Sequence, residues 1–328
     1  MRPKVNDLFS ITAQHYINGG HAALLHLSLL VNTIISNIEN ASCSILNTVH
    51  AHILHKGHNK DKSLDTSYRT ISTCPLVAKI LDTYVRELSS HDWDSVQAET
   101  QFQGKGLSHE HSALLLTEAI NHALSEEKKP VFALYLDARS AFDKVIFSIL
   151  CRCLYLDGTR DQNLGFIIRR LENIITFCEW DREIMGPIID ELGVEQGGVN
   201  SSDFYKIYNN EQLSVPQETG FGVLVGDVHV AAIGQADDTV LISSDIHKLK
   251  FLLHLTLQYC KKYNVELSAT KTKLQLFTPA GYHIDDAYLK AASSLSISGT
   301  NIKFVTTTEH VGILRSTTSS LAKINFSQ

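Results

Sequence analysis

The chain has 328 residues, of which 44% are hydrophobic and 20% are charged. This balance excludes wholesale disorder and is typical of a globular protein with one large domain or two smaller ones. The formal net charge of −6 excludes an overall basic surface, so any face that binds nucleic acid must be local.

Neither the cysteines nor the N-terminal residues indicate a secreted or membrane protein. The six cysteines form no CxxC pair and most lie in apolar runs, which is typical of reduced thiols in an intracellular protein. No apolar core follows the charges of MRPKVNDLFS, so we expect no signal peptide. The apolar run at 22–35 is too short and too polar to span a bilayer. We therefore expect an intracellular location, nuclear or cytoplasmic, and no membrane partner.

The first 130 residues are predicted to be mostly helical. Apolar residues recur at helical spacing over 20–55, and the polar stretch at 55–70 indicates a solvated loop. Further helices are predicted over 76–88 and 111–124, and Pro130 follows the second one as a stop signal.

The rest of the chain mixes strands with helices. The apolar run VFALYLD at 131–137 is typical of a strand buried on both faces. The patterns then predict an amphipathic helix from Leu164 to Cys178, short strands over 221–243, a helix over 247–263 and a strand over 274–279. Because regular β-α-β alternation is absent, we predict an α+β fold rather than a doubly wound sheet.

Two adjacent aspartates, Asp237 and Asp238, interrupt the apolar stretch VAAIGQADDTVLIS. Neighbouring carboxylates repel each other in a region of low dielectric, unless a divalent cation lies between them and a partner. Asp137 ends the strand predicted at 131–137, and it converges with Asp237 if the two strands lie side by side. Carboxylates suit Mg²⁺, and two such ions about 3.5–4 Å apart clamp an in-line phosphoryl transfer. The alternative is a solvated turn that binds no metal.

Seven blocks of sequence, spread over roughly residues 50–315, resemble the reverse transcriptases of non-LTR (LINE-type) retrotransposons. Each block is a weak signal alone, whereas seven in the family's order are very specific. In chain order they are SYRTISTCPLVAKILDTYVREL (67–88), TQFQGKGLSHEHSALLLTEAI (100–120), LDARSAFDKV (136–145), GVEQGGVNSSDF (193–204), GQADDTVLIS (234–243), LSATKTKLQLF (267–277) and EHVGILRS (309–316).

The resemblance implies a site for templated nucleotidyl transfer. Asp137, Asp237 and Asp238 would hold two Mg²⁺ ions, with Mn²⁺ as the substitute, and Lys271 would protonate or neutralise the leaving pyrophosphate. The implied contacts to the incoming nucleotide are the ring of Phe142 beside the ribose 2′ position, Gln196 and Gly197 against nucleotide and template, and Arg69 and Lys105 at the triphosphate.

Several of these residues have a plainer interpretation. Phe142 could be a core residue, and Lys271 could be one surface lysine among several.

Glu195 stands where the family often has a basic residue, which would weaken a phosphate contact. The histidines at 50–58 are spaced like metal ligands, but no cysteine or carboxylate is spaced to complete a zinc site, so none is predicted.

The resemblance also implies a domain organisation. A reverse transcriptase domain is expected over 51–315, with fingers at 51–130 and a right-hand palm at 131–315 formed by an antiparallel sheet backed by helices. A helical extension would precede it at 1–50, and 316–328 would be a stub towards a thumb that is missing or truncated.

The implied function is that of a retrotransposon RNA-directed DNA polymerase, which transfers nucleotides from dNTPs to a DNA primer on an RNA template. The alternative is a catalytically inactive, element-derived remnant that binds nucleic acid or protein. Protein partners are left open.

Overall fold

The structure is a computed structural model, and it describes residues 7–37, 44–57, 60–95, 97–104, 106–172 and 174–306. Contacts between Cα atoms divide the chain into two compact units, and each unit is made of two segments. The first unit is Met1–Val96 with Phe142–Ile207, and the second is Gln97–Ala141 with Tyr208–Gln328.

Helices and strands alternate irregularly along the described residues. The helices are α1 (Ala13–Asn18), α2 (Gly20–Ser36), α3 (Leu76–Ser95), α4 (His109–Ser125), α5 (Phe147–Leu156), α6 (Asp161–Leu171), α7 (Ser201–Glu218), α8 (Ile246–Lys262) and α9 (Asp286–Ser293). The strands are β1 (Thr48–His55), β2 (Tyr68–Thr73), β3 (Val131–Asp137), β4 (Ile174–Trp180), β5 (Glu183–Asp190), β6 (Val223–Val225), β7 (Val228–Val230), β8 (Ala232–Gln235), β9 (Asp238–Ser243), β10 (Lys273–Phe277), β11 (Ser296–Ile297), β12 (Thr300–Asn301) and β13 (Lys303–Thr306).

The first unit contains a four-stranded sheet with the order β2-β1-β4-β5. β1 pairs antiparallel with β2 and parallel with β4, and β4 forms an antiparallel hairpin with β5. The first four residues of β1, from Thr48 to Ala51, are all buried. Because successive side chains of a strand point to opposite faces, both faces of β1 are covered at its start.

A buried ion pair joins α3 to α6 in the first unit. α3 buries Ala78, Leu81 and Val85 at helical spacing. On the same helix Asp82 accepts two hydrogen bonds of 3.1 Å from the guanidinium of Arg170. The two parallel bonds satisfy charges that are withdrawn from water, so losing one partner would leave the other charge uncompensated.

The second unit contains a five-stranded sheet with the order β13-β10-β3-β9-β8. β3 is its central strand and pairs antiparallel with both β10 and β9. Six of the seven residues of β3 are buried. One face of β3, carrying Val131, Ala133 and Tyr135, belongs to a core that includes Leu116 and Ile120 of α4. α8 also packs against β3 and β9. The sequence predicted an antiparallel sheet backed by helices, and the observed sheet has this form except at its edge, where β13 pairs parallel with β10.

Two helical predictions were wrong. Residues 20–55 were predicted to be helical, but α2 ends at Ser36 and residues 48–55 form the strand β1. The helix predicted from Leu164 to Cys178 ends at Leu171, so Ile175 and Cys178 lie in β4. Pairing between β1 and β4 explains both, because each strand supplies the backbone hydrogen bonds of the other.

The domain boundaries predicted from the sequence stay predictions. The closing block at 309–316 and the stub at 316–328 lie outside the described residues. Across the part of the chain that the structure describes, no helix has the length and apolar character needed to cross a bilayer.

Candidate active site

The two adjacent aspartates lie at the tight turn between β8 and β9. Gln235 pairs with Asp238, so Ala236 and Asp237 form a two-residue hairpin loop. Ala236 has a φ of +57°, a left-handed conformation of the kind used in such tight turns. The turn therefore fixes Asp237 in the loop and Asp238 at the first position of β9.

The register of the sheet brings a third carboxylate to the same place. β3 and β9 are antiparallel, and Asp137 is directly opposite Asp238. The backbone of Asp137 is held by the segment before β10. The N–H of Ser268 donates to the carbonyl of Asp137 at 2.8 Å, and the N–H of Asp137 donates to Thr272 Oγ1 at 3.4 Å. The side-by-side strands predicted from the sequence are therefore present.

Lys271 reaches the carboxylates from the segment just before β10. β10 is antiparallel to β3 with Lys273 opposite Tyr135, so a residue two positions before Lys273 falls level with Asp137. Lys271 Nζ is 3.0 Å from Asp137 Oδ1. The lysine side chain is 51% exposed, so this ion pair adds little to stability. The ammonium remains accessible to a charged ligand.

Electrostatics at this site favour a bound cation. The pKa of the Asp237 carboxyl is raised, mainly by burial and also by the charge of Asp137. A hydrogen bond from its own backbone and the charge of Lys271 oppose this rise. These four residues carry three carboxylates and one ammonium, which leaves an excess of negative charge. All the donors are carboxylate oxygens, the ligand type that Mg²⁺ and Mn²⁺ prefer. The residues present therefore fit a divalent metal site.

The other predicted site residues belong to the first unit, apart from Lys105, which lies outside the described residues. The ring of Phe142 stacks on Tyr205, with centroids 4.7 Å apart and an interplanar angle of 23°. Phe142 is half-buried, so one part of the ring is packed and another is accessible. Arg69 lies exposed on β2.

Gln196 and Gly197 are attached to β2 through the backbone. The N–H of Ser72 donates to the carbonyl of Gln196 at 2.8 Å, and Gln196 Nε2 donates to Asp143 Oδ1 at 3.3 Å. Gly197 has a φ of +109°, and a Cβ there would lie 3.0 Å from the carbonyl oxygen of Ser72. The backbone itself thus requires glycine at this position.

The side chain of Glu195 points into the interior of the first unit, where it contacts protein groups and not a phosphate. Its Oε2 accepts a hydrogen bond of 2.5 Å from Cys74 Sγ, and its Oε1 is 3.8 Å from Arg170 Nη2. Burial raises the pKa of Glu195, and the charge of Arg170 opposes this effect. Glu195 therefore extends the buried Asp82–Arg170 pair, which no local sequence signal indicated.

Comparison with known proteins agrees with this geometry. A family model described as "Reverse transcriptase (RNA-dependent DNA polymerase)" matches residues 57–309. The chain belongs to this family. Members of this family carry out RNA-templated DNA synthesis that depends on a divalent metal ion, so the family predicted from the motifs is confirmed.

A curated relative supports the non-LTR assignment. The Retrovirus-related Pol polyprotein from type-1 retrotransposable element R2 of Popillia japonica is 26% identical over 165 residues. The match covers 48% of this chain and 22% of that polyprotein, so the reverse transcriptase described here spans only a small part of the relative's length. The resemblance to non-LTR reverse transcriptases seen in the seven blocks is confirmed.

Solved structures agree with the fold. Telomerase from Candida tropicalis in complex with a fragment of telomeric RNA is 12% identical with a TM-score of 0.54, covering 77% of this chain and 45% of that one. Apo telomerase from the same organism, truncated from the C-terminal domain, is 11% identical with a TM-score of 0.50, covering 79% and 56%. At these identities the similarity concerns the fold alone. The predicted α+β right-hand polymerase fold is confirmed.

Proposed function

We propose that this reverse transcriptase adds deoxynucleotides to the 3′-OH of a DNA primer annealed to an RNA template, with Asp137, Asp237 and Asp238 holding two Mg²⁺ ions. The observation that carries the proposal is the pairing of β3 with β9, which puts Asp137 opposite Asp238 and next to the turn at Asp237. When bound, the two ions supply Lewis-acid stabilisation of the attacking and leaving oxygens. Mn²⁺ fits the same oxygen donors.

Lys271 acts at the pyrophosphate. Its ammonium lies beside Asp137 and remains half exposed, so it can turn from the carboxylate to a phosphate oxygen without leaving a buried charge behind. There it donates a proton from Nζ, or neutralises the charge that develops on the leaving group. The backbone bonds from Ser268 and to Thr272 hold Asp137 in place while this happens.

The nucleotide contacts are proposed from the motif resemblance. Phe142 would limit the room beside the ribose 2′ carbon, and its stacking on Tyr205 would keep the ring in one orientation. Gln196 and Gly197 would present their backbone to nucleotide and template. Arg69 and Lys105 would approach the triphosphate.

Primer extension tests the proposal. The purified chain is given an RNA template, an annealed DNA primer, dNTPs and Mg²⁺ at low salt, because phosphate contacts weaken steeply as salt rises. We compare the wild type with Asp237→Ala and with Asp227→Ala, which removes an exposed aspartate from the turn between β6 and β7. We expect extension by the wild type and by Asp227→Ala, and none by Asp237→Ala.

Two other outcomes are informative. Equal extension by all three proteins would show that Asp237 is not part of the catalytic site. If the wild type does not extend the primer, but Mg²⁺ raises its unfolding temperature and not that of Asp237→Ala, the metal site is present without catalysis. That result would favour the inactive remnant.

A further inference from the structure

A cluster of metal-ligating side chains lies on the sheet of the first unit, separate from the catalytic carboxylates. His50 and His52 are two positions apart on β1, so they share a face of the strand. β1 pairs parallel with β4, and this register places His52 opposite Glu179. Glu179 Oε2 is 3.0 Å from His50 Nε2 and 3.1 Å from His52 Nδ1, so two imidazoles converge on one carboxylate oxygen.

Hydrogen bonding does not account for the whole cluster. His50 is 7% exposed, and both of its ring nitrogens are buried with no hydrogen-bond partner in the described structure. His50 Nε2 and Glu179 Oε2 are therefore close enough for a hydrogen bond, but their relative orientation does not allow one. Nε2 of His52 is likewise buried without a partner. Buried polar atoms in this state cost free energy unless a ligand or ordered water satisfies them.

We propose that His50, His52 and Glu179 bind one divalent transition-metal ion of the zinc type. Two imidazole nitrogens with one carboxylate suit Zn²⁺, whereas Mg²⁺ prefers a set of oxygens. The three ligand atoms lie within 4.8 Å of one another. Ligands of a tetrahedral zinc ion with bonds of about 2.0–2.1 Å are separated by roughly 3.4 Å, so a small opening of the cluster admits the ion. A water molecule fills the fourth position.

The ion joins two strands that are distant in the sequence. His50 and His52 belong to β1 and Glu179 to β4, so the metal cross-links the parallel pair at the centre of the four-stranded sheet. Its binding free energy adds to the stability of that sheet, because the site exists only when the two strands are paired. The sequence pattern did not indicate this site, because Glu179 is far from the histidines along the chain and meets them only through the pairing of β1 with β4.

Titration with Co²⁺ tests the proposal, because this ion replaces zinc and is visible in absorption. Mg²⁺ is kept in excess to occupy the catalytic carboxylates. Glu179→Gln and His52→Gln remove one ligand each at partly exposed positions, and His254→Gln removes an exposed histidine from α8 as the matched control. Far-ultraviolet circular dichroism verifies that each variant is folded.

We expect one Co²⁺ per chain, displaced by Zn²⁺, in the wild type and in His254→Gln. Each ligand variant should weaken binding by at least about tenfold. Zn²⁺ should raise the unfolding temperature of the wild type and not that of Glu179→Gln. The proposal is overturned if the wild type binds no Co²⁺ in the presence of Mg²⁺, or if folded Glu179→Gln and His52→Gln bind it as tightly as the wild type.

Discussion

The two sheets of this reverse transcriptase differ most in how far their strands are buried. In the second unit, β3 is buried from Val131 to Leu136, and β9 is buried after Asp238. In the first unit, β5 is exposed over nearly its whole length, and Ile189 on it is 69% exposed. The buried sheet provides a rigid support for carboxylates at the ends of its central strands, which is what alignment of a phosphoryl transfer requires. The sheet of the first unit is buried at the start of β1 and exposed along β5, and its proposed metal ligands lie on the paired central strands β1 and β4.

The largest expected effect concerns the carboxylate that ends the buried central strand. Asp137→Asn should lower the single-turnover rate of primer extension by at least about 10³-fold, equivalent to about 4 kcal/mol, because a metal ligand is lost. Asp227→Asn, in an exposed turn of the same unit, should keep the wild-type rate. A rate of Asp137→Asn within tenfold of the wild type would contradict a metal-binding role for this strand end.

The contrast in burial predicts a contrast in stability. Leu134 on β3 is 0% exposed, so Leu134→Ala should lower the free energy of unfolding by about 2–5 kcal/mol. Ile189→Ala on β5 should change it by no more than about 0.5 kcal/mol. Urea unfolding of both variants measures the difference. Equal losses would mean that β5 is covered in solution and that the comparison of the two sheets is wrong.

Loss of the lysine beside the proposed catalytic carboxylates should have a smaller effect on rate. Lys271→Gln should slow primer extension by about 10²-fold, since one proton donor to the leaving group is removed. Its stability should change by less than about 1 kcal/mol, because the ion pair is half exposed. Lys261→Gln, on the exposed part of α8, is the control. If Lys271→Gln leaves the rate of primer extension unchanged, Lys271 is a surface residue without a role in the reaction.

The smallest expected effect tests the partly buried carboxyl of Asp157 in the first unit. Burial raises the pKa of Asp157 to about 6 from 3.8, and its Oδ2 is buried without a hydrogen-bond partner in the described structure. The folded state therefore binds more protons than the unfolded state between these two values, so stability falls as pH rises from about 4 to 6. Asp157→Asn should flatten this slope and raise stability at pH 7 by about 1 kcal/mol.

Urea unfolding at several pH values from 4 to 7 measures this slope. Asp181→Asn, in the exposed turn between β4 and β5, should keep the wild-type slope. If Asp157→Asn also kept this slope, the Asp157 carboxyl would contribute nothing to the pH dependence.

The proposed catalytic residues of the second unit could be placed together from the sequence because their signals are local. The apolar run ending at Asp137 has the length and composition of a buried strand, and the turn at Asp237 lies between two such runs. If these strands lie side by side in one sheet, their ends bring Asp137 and Asp237 together. The same reasoning gave α4, α8 and β10 closely, with ends that differ by a few residues.

The first unit was harder to predict because its contacts depend on distant pairing. β1 has apolar residues that fit either a helix or a strand, and only its pairing with β4 decides between them. The inward orientation of Glu195, which lies between β5 and α7, depends on Arg170 of α6. The meeting of His52 with Glu179 likewise depends on strand register, which the local sequence does not specify.

Iron-directed cleavage tests the central claim, that Asp137, Asp237 and Asp238 hold divalent ions, without any primer or template. Fe²⁺ with ascorbate and peroxide generates hydroxyl radicals that cut the backbone beside the bound ion. We expect cuts near residues 137 and 237 in the wild type, suppressed by excess Mg²⁺ and absent from Asp237→Ala. No cut at either position, or the same cuts in Asp237→Ala, would contradict the claim.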